Sequence, residues 1–229
     1  MVPLVAPVES NGPHRHLRVT PPNSIDGLAG ERIELRRQLR ALRASLSAAE
    51  RLSAARKIAA HVADTRWLHG GRPVGMYASV GYEVATGRLR ALARSRHCPV
   101  YLPQIADYRQ RRMVFALESS LTALIPNRYG IPEPAPDKTI RTAALSVVFM
   151  PLLGFDARGT RLGSGAGYYD RLFAFRRRRI QWHRPLMVGI AYRCQQLAHI
   201  QAADHDIPLD ALVSEDGVAY FSSHGGQGT

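Results

Sequence analysis

Lysine is almost absent from this chain: of its 31 basic residues, all but Lys57 and Lys138 are arginine. Against 18 acidic residues they leave a formal net charge of +13. The excess therefore consists of guanidinium groups, which grip phosphate and carboxylate as planar forks rather than as point charges. Such a bias fits a nucleic-acid partner, a polyanionic small molecule or a codon-biased genome. The arginines are spread along the chain, with one dense run at Arg176 to Arg179. Zinc-finger spacing, the aromatic signature of RNA-recognition modules and a helix-turn-helix pattern are all missing, so no nucleic-acid partner is expected.

Cysteine is nearly as scarce. Cys98 and Cys194 lie in different segments with no metal-type spacing, which argues against a disulfide scaffold or a zinc site and fits a reducing cytoplasm. No apolar run approaches the ~20 residues of a membrane helix, and the N-terminus lacks the basic start and apolar stretch of a secretory signal. With 229 residues, 45% of them hydrophobic, the chain has material for one sizeable core, and no second composition regime marks a second domain. Residues 1–28, rich in Pro, Gly, Asn, Ser and His, read as a flexible extension. Residues 29–222 read as one domain, and 223–229 as a flexible tail.

From Gly30 the pattern turns helical, with Ile33, Leu35, Leu39, Leu42 and Leu46 at helical spacing and arginines between them. Ser47 and Glu50 form a capping box, which predicts a second helix over about 48–63. Short apolar strands then alternate with amphipathic helices: strands over 73–79, 100–102, 113–117, 145–153, 186–192, 209–213 and 218–221, and helices over 86–95 and 166–177. The stretch 145–153 is almost wholly apolar, as a central strand covered on both faces requires. The alternation predicts an α/β fold, with a mainly parallel sheet between helical layers.

The segment that carries chemistry follows that strand. It runs Arg161-Leu162-Gly163-Ser164-Gly165-Ala166-Gly167-Tyr168-Tyr169-Asp170 and opens the next helix. Ligands of open α/β sheets collect beyond the carboxyl ends of strands. Alternate glycines let a backbone approach a ligand closely, and free N–H groups at a helix start attract phosphate. Arg161 adds a forked cation, and Asp170 in the first helical turn suits magnesium shared with phosphate oxygens. On spacing alone the loop is equally a tight turn with ordinary helix-start chemistry. It is neither the dinucleotide G-x-G-x-x-G fingerprint nor a P-loop, which ends in Gly-Lys-Ser/Thr.

The string from Pro151 to Asp170 resembles the signature of the 5-formyltetrahydrofolate cyclo-ligase family: an apolar strand, Phe-Asp, a Gly, Arg-Leu-Gly, alternate glycines and Gly-Tyr-Tyr-Asp. The resemblance runs from about Arg32 to Phe221. Leu35-Arg36 with Arg40, Arg43 and Leu46-Ser47 are similar to the family's basic first helix. Tyr77-Ala78-Ser79 with Glu83-Val84 and Thr86, Leu102-Pro103, Met113, Gly130-Ile131-Pro132-Glu133-Pro134, and His205-Asp206 with Asp210 follow in the family's order.

That resemblance implies a single three-layer α/β/α domain, expected to act as a monomer. It implies ATP-dependent conversion of 5-formyltetrahydrofolate, polyglutamylated or not, to 5,10-methenyltetrahydrofolate. The formyl oxygen takes the γ-phosphoryl group, N10 attacks the activated carbon, and ADP and phosphate are released. It places ATP on Arg32, Arg36 and Arg161 through Tyr169. Folate is placed on Ala78, Glu83 and Ser164 through Tyr168, and magnesium on Asp170 and Asp206. Arg161, Tyr168 and Asp170 are the residues implied in catalysis. By residue type alone, Arg32 and Arg36 also suit a solvated helix face, Asp170 a helix-start carboxylate and Asp206 a turn before Pro208.

Three positions depart from the family pattern. Arg32 stands where many members carry lysine, Ser164 where the side chain is usually larger, and Ala166 where Gly or Lys is common. A methyl at 166 would crowd the loop if its backbone required positive φ. Ala166 thus leaves open a paralogue that binds folate and nucleotide without turning them over.

Overall fold

The computed structural model of the chain describes residues 25–118, 123–135, 138–178 and 184–221. Most of the predicted 1–28 extension and the 223–229 tail lie outside the described residues. The first helix, α1, begins at Ile25, inside that extension, and runs to Ala44. Helix α2 spans Ala48–Ala63 from the predicted capping box: the Ser47 side chain accepts from Glu50 N, and the Glu50 side chain accepts from Ser47 N.

Strand β1 (Val74–Gly75) is followed by α3 (Gly87–Ser95), β2 (Val100–Asp107) and β3 (Arg112–Leu117). A small hairpin of β4 (Ile125–Pro126) and β5 (Pro132–Glu133) leads to β6 (Thr139–Ile140) and β7 (Val147–Pro151). A second hairpin, β8 (Gly154–Phe155) with β9 (Arg161–Leu162), precedes α4 (Tyr168–Leu172). Strands β10 (Leu186–Ile190), β11 (Ala211–Ser214) and β12 (Gly217–Tyr220) complete the chain.

Eight strands form the main sheet in the order β12-β11-β10-β7-β1-β2-β3-β6. The five inner strands from β11 to β2 pair parallel, and β12, β3 and β6 add antiparallel edges. The fold is thus a mixed, mostly parallel α/β sheet, as the alternation predicted.

Strand alternation explains the continuous apolar runs. Val147 and Phe149 of β7 join Val188, Ile190, Ala211 and Val213 in a core closed by Ala54, Ile58 and Val62 of α2 and Leu89 and Ala93 of α3. Their neighbours Val148, Met150, Met187 and Leu212 face the other way, against Phe115, Phe173 and Leu209. Both faces are covered, which is why these strands are almost wholly apolar. A third cluster, of Leu39, Leu153, Leu162, Leu197 and Ile200, seats α1 beside the β8–β9 hairpin.

Several elements are shorter than predicted, β7 and β10 among them, and two of these differences bear on the site. Strand β1 keeps only two ladder residues, and Tyr77 and Ala78 beyond it turn to line a cleft. The helix expected over 166–177 is a five-residue turn followed by a 3-10 segment, Ala174–Arg178. Phe173, fully buried against the second core, ends the α-helical turn between them.

Candidate active site

A cleft of about 750 Å³ opens at the carboxyl ends of β1 and β7, between α1 and the glycine loop. Helical spacing puts Arg32, Arg36, Arg40 and Arg43 on one face of α1, and all four line it. Arg32 Nη2 donates to Asp206 Oδ2 at 3.1 Å, Arg36 Nε to the Gly163 carbonyl at 3.0 Å and Arg40 Nη2 to the Ser164 carbonyl at 3.2 Å. Burial, then the charges of Arg32 and Arg40, hold the Arg36 guanidinium below its usual pKa, with Asp206 opposing them. An anion placed there relieves that like-charge crowding. Arg32 Nε is buried without a hydrogen-bond partner among the described residues.

The glycine loop is presented by the β8–β9 hairpin. Asp156, buried at its turn, accepts from the backbone N–H groups of Arg158, Thr160 and Ile200, each at 3.0 Å. Burial alone would raise this carboxyl; the three N–H groups and the Arg158 side chain together hold it below its ordinary pKa. Beyond the hairpin, Gly165 (φ 107°) and Gly167 (φ 68°) take backbone conformations that side chains disfavour, and Gly167 caps α4 in the left-handed region. Ala166 between them is free of that demand: among the described residues only His97 and Arg111 are non-glycines at positive φ. Its methyl therefore does not strain the loop, which removes the crowding expected from that departure.

Each residue predicted for the site can now be located. Arg32, Arg36, Ala78, Glu83, Arg161, Gly163, Ser164, Gly165, Ala166, Gly167, Tyr168, Tyr169, Asp170 and Asp206 all line the one cleft. Leu162 does not: the pleat turns its side chain into the cluster with Leu39 and Leu197, fully buried. Arg161, 4% exposed, is committed inward, donating from Nε to the Ile207 carbonyl at 3.2 Å and from Nη2 to Asp170. It acts as a clamp that ties the loop entrance to the 205–207 segment as well as a cation at the cleft wall.

Glu83 sits in a turn closed by its N–H to the Val80 carbonyl at 3.2 Å. Its Oε2 accepts from Val80 N at 3.1 Å, and its carbonyl accepts from the Tyr192 hydroxyl at 3.2 Å. Burial pushes its carboxyl above the ordinary carboxylate range, and the Val80 N–H and the Arg43 charge pull the other way. Tyr169 packs on Phe173 with ring centroids 6.4 Å apart, and its hydroxyl is buried with no partner among the described residues.

The donor set fits a divalent cation brought in with phosphate. Both protein bonds to Asp170, from Arg161 and from Ile207 N at 3.2 Å, fall on Oδ1. Those to Asp206, from Arg32 and from Ala203 N at 2.9 Å, fall on Oδ2. Each carboxylate thus keeps one oxygen outside these hydrogen bonds. Magnesium commonly takes one or two carboxylates and completes its octahedron with water and substrate phosphate. Among the described residues no group of three His, Cys, Asp or Glu side chains forms a self-sufficient metal site.

Several lining residues had no predicted role: Arg43, Tyr77, Met113, Tyr129 and Glu133. Glu133 Oε1 accepts from Ile105 N at 3.0 Å and from Asn127 Nδ2 at 2.6 Å, which anchors the β4–β5 hairpin to β2. The basic stripe of α1 was legible as periodicity; the hairpin's place at the cleft was not. Two members of the arginine run, Arg176 and Arg177, bond back to the protein. Arg176 Nη2 donates to both Asp210 oxygens at 2.9 Å, and Arg177 Nη1 to the Asp204 carbonyl at 2.9 Å.

Among the described residues no helix is long and apolar enough to cross a membrane. The chain is 29% identical over 188 residues to the 5-formyltetrahydrofolate cyclo-ligase of Haemophilus influenzae, covering 80% of this chain and 97% of that protein. It is 28% identical over 198 residues to the protein of the same name from Mus musculus, covering 83% and 94%. Its fold matches the NMR structure of Aquifex aeolicus 5,10-methenyltetrahydrofolate synthetase with a TM-score of 0.71 and 26% identity, over 86% of this chain and 96% of that one. The sequence model of one family matches residues 29–215, so the chain belongs to the 5-formyltetrahydrofolate cyclo-ligase family of enzymes.

Proposed function

We propose that this enzyme converts 5-formyltetrahydrofolate to 5,10-methenyltetrahydrofolate in the cleft between α1 and the glycine loop, with ATP converted to ADP and phosphate. One observation carries the reading. Arg36 and Arg40 donate to the carbonyls of Gly163 and Ser164, so an arginine stripe and a glycine loop form one wall of the cleft that also holds the half-buried carboxyl of Glu83. The wall suits a polyphosphate and the carboxylate suits the N–H edge of a pterin.

In this reading Arg32, Arg36 and the loop N–H groups from Gly163 to Tyr169 hold the phosphates. Glu83 accepts from the pterin while Ala78 packs on its ring. The formyl oxygen attacks the γ-phosphorus and ADP departs. The N10 lone pair then attacks the formyl carbon, the carbon–oxygen bond breaks, phosphate leaves with both its electrons, and the N10 proton is released. Such chemistry asks the protein mainly for positioning and charge neutralisation. Magnesium on Asp170 and Asp206, when bound, neutralises phosphate charge. Arg161 fixes Asp170 for that task, and Tyr168 borders the reacting groups.

No protein nucleophile is required. Burial raises the pKa of the Cys98 thiol and takes that of Cys194 to about 11, so both stay protonated at neutral pH. Both are free, which fits the cytoplasm, where the enzyme acts as a monomer in this reading. The pairing of Arg176 with Asp210 within the fold favours small anionic substrates over nucleic acid.

Purified protein with 5-formyltetrahydrofolate, ATP and magnesium should develop methenyl absorbance in the near ultraviolet, and should not when ATP is withheld. Binding of both substrates without that absorbance would mark a paralogue that has lost turnover.

A further inference from the structure

The inner end of the cleft holds a cation that none of these roles uses. Arg43 stands in the last turn of α1 and lines the cleft with Tyr77, Ala78 and Glu83. Its hydrogen bond from Nη1 to the Leu152 carbonyl is stretched to 3.5 Å, the weak limit for such a contact. Its Nε is buried with no partner among the described residues. A buried guanidinium N–H without an acceptor is unfavourable unless a ligand supplies one. Part of Arg43's position is explained by the favourable interaction of a cation with a helix C-terminus. That interaction does not need the Nε turned out of reach of water.

Glu83, on the lining of the same cleft, supplies the clue. Arg43 and Glu83 line that cleft together with Tyr77 and Ala78, and the Arg43 charge favours the ionised form of the Glu83 carboxyl. A 4-oxo pterin presents along one edge the exocyclic 2-amino group, the ring N3–H and the C4 carbonyl oxygen: donor, donor, acceptor. A carboxylate accepts from the first two and leaves the third facing whatever stands beside it. We propose that Arg43 is a substrate-binding residue whose guanidinium donates to the C4 carbonyl oxygen of the pterin held by Glu83. Together the two side chains read the whole edge. The proposal rests on the reading in which Glu83 holds the pterin. It adds a specificity: a 4-amino analogue puts a donor where Arg43 needs an acceptor and also lacks the N3–H that Glu83 accepts, so Arg43's share of the discrimination is the part lost when Arg43 is replaced.

The test is competitive inhibition of turnover by folic acid and by its 4-amino-4-deoxy analogue. The wild-type enzyme should bind the 4-oxo compound about tenfold more tightly or better, the scale of a charged hydrogen bond made or missed. Arg43→Lys, which keeps a donor, should retain that preference. Arg43→Gln, whose amide can present either its oxygen or its nitrogen, should lose about tenfold of it, leaving the share set by Glu83, while the KM for ATP stays unchanged. A purely structural role for Arg43 would weaken both inhibitors alike and leave their ratio intact. An unchanged ratio in Arg43→Gln, or no 4-oxo preference in the wild type, overturns the proposal. Glu83→Gln separates the two layers: if it leaves the KM for folate unaltered, the pterin orientation itself falls, whatever the Arg43 variants do.

Discussion

Arg36 of the first helix donates from Nε to the carbonyl of Gly163 at 3.0 Å, across 127 residues of sequence. That bond, with the one from Arg40 to Ser164, makes the glycine loop part of a wall rather than a free turn. It also leaves three like charges, Arg32, Arg36 and Arg40, crowded at a surface that an anion would relieve. Replacing Arg36 by Met keeps the stem and removes the fork. The expected outcome is a rise of about ten- to a hundredfold in the KM for ATP, the scale of a charged hydrogen bond. The KM for folate should change far less. Steady-state kinetics with each substrate varied in turn reads both.

The raised pKa of Glu83 has a direct consequence for pH dependence. Burial favours its protonated form, so the carboxyl takes up a proton at a pH above the ordinary carboxylate value of about 4.3. Only the ionised form accepts two donors from a pterin. As pH falls through the raised value, kcat/KM for folate should therefore decline, earlier than an exposed carboxylate would cause. Glu83→Gln should lower kcat/KM and abolish that acidic limb, and a pH–rate profile of both enzymes checks it.

Asp156 is a stability residue rather than a ligand. Its carboxyl satisfies three backbone N–H groups at the turn that presents the glycine loop. Asp156→Ala should cost about 2–4 kcal/mol, because three donors lose their acceptor in a buried place. For a domain of this size that lowers Tm by about 5–10 °C. Since the carboxyl's pKa is depressed on folding, its contribution is present above the ordinary Asp value and lost as pH falls through the lower folded one. The gap in Tm between wild type and variant should accordingly narrow in acid, as thermal melts across pH would show.

Asp170 couples a clamp to a candidate metal position. Asp170→Asn leaves the buried Arg161 without its carboxylate and weakens the charge offered to a divalent cation. The magnesium concentration for half-maximal rate should rise by about tenfold while the KM for folate holds. A magnesium titration showing no difference between variant and wild type would remove Asp170 from the metal set.

Features set by local chemistry were legible in the sequence. The capping box of Ser47 and Glu50 gave the start of α2 because both bonds lie within four residues. The apolar run around Phe149 gave a doubly covered strand because pleating alone divides it between two cores. The family signature located the loop, and the cleft gathers nearly all the residues that it implied. Long-range packing supplied the rest. The run from Ala166 has helical spacing, yet a left-handed Gly167 and a fully buried Phe173 confine the α-helix to Tyr168–Leu172. Leu162 carries a motif letter but faces the core. Glu133 stood in the sequence only as part of the Gly130 to Pro134 landmark, and the folding of the β4–β5 hairpin against β2 brings it to the cleft. Arg43 was one arginine among many until its unpaired Nε and its place on the lining shared with Glu83 set it apart.

The central claim is that one cavity holds both reactants, phosphates on the glycine hinge and pterin on Glu83. A crystal structure with a non-hydrolysable ATP analogue, magnesium and 5-formyltetrahydrofolate tests it most directly. The γ-phosphate should lie within hydrogen-bonding reach of the 163–169 backbone and of Arg36, facing a formyl oxygen whose pterin meets the Glu83 carboxylate. Nucleotide bound elsewhere, with the loop carbonyls still tied to Arg36 and Arg40 and nothing between α1 and Glu83, would contradict it.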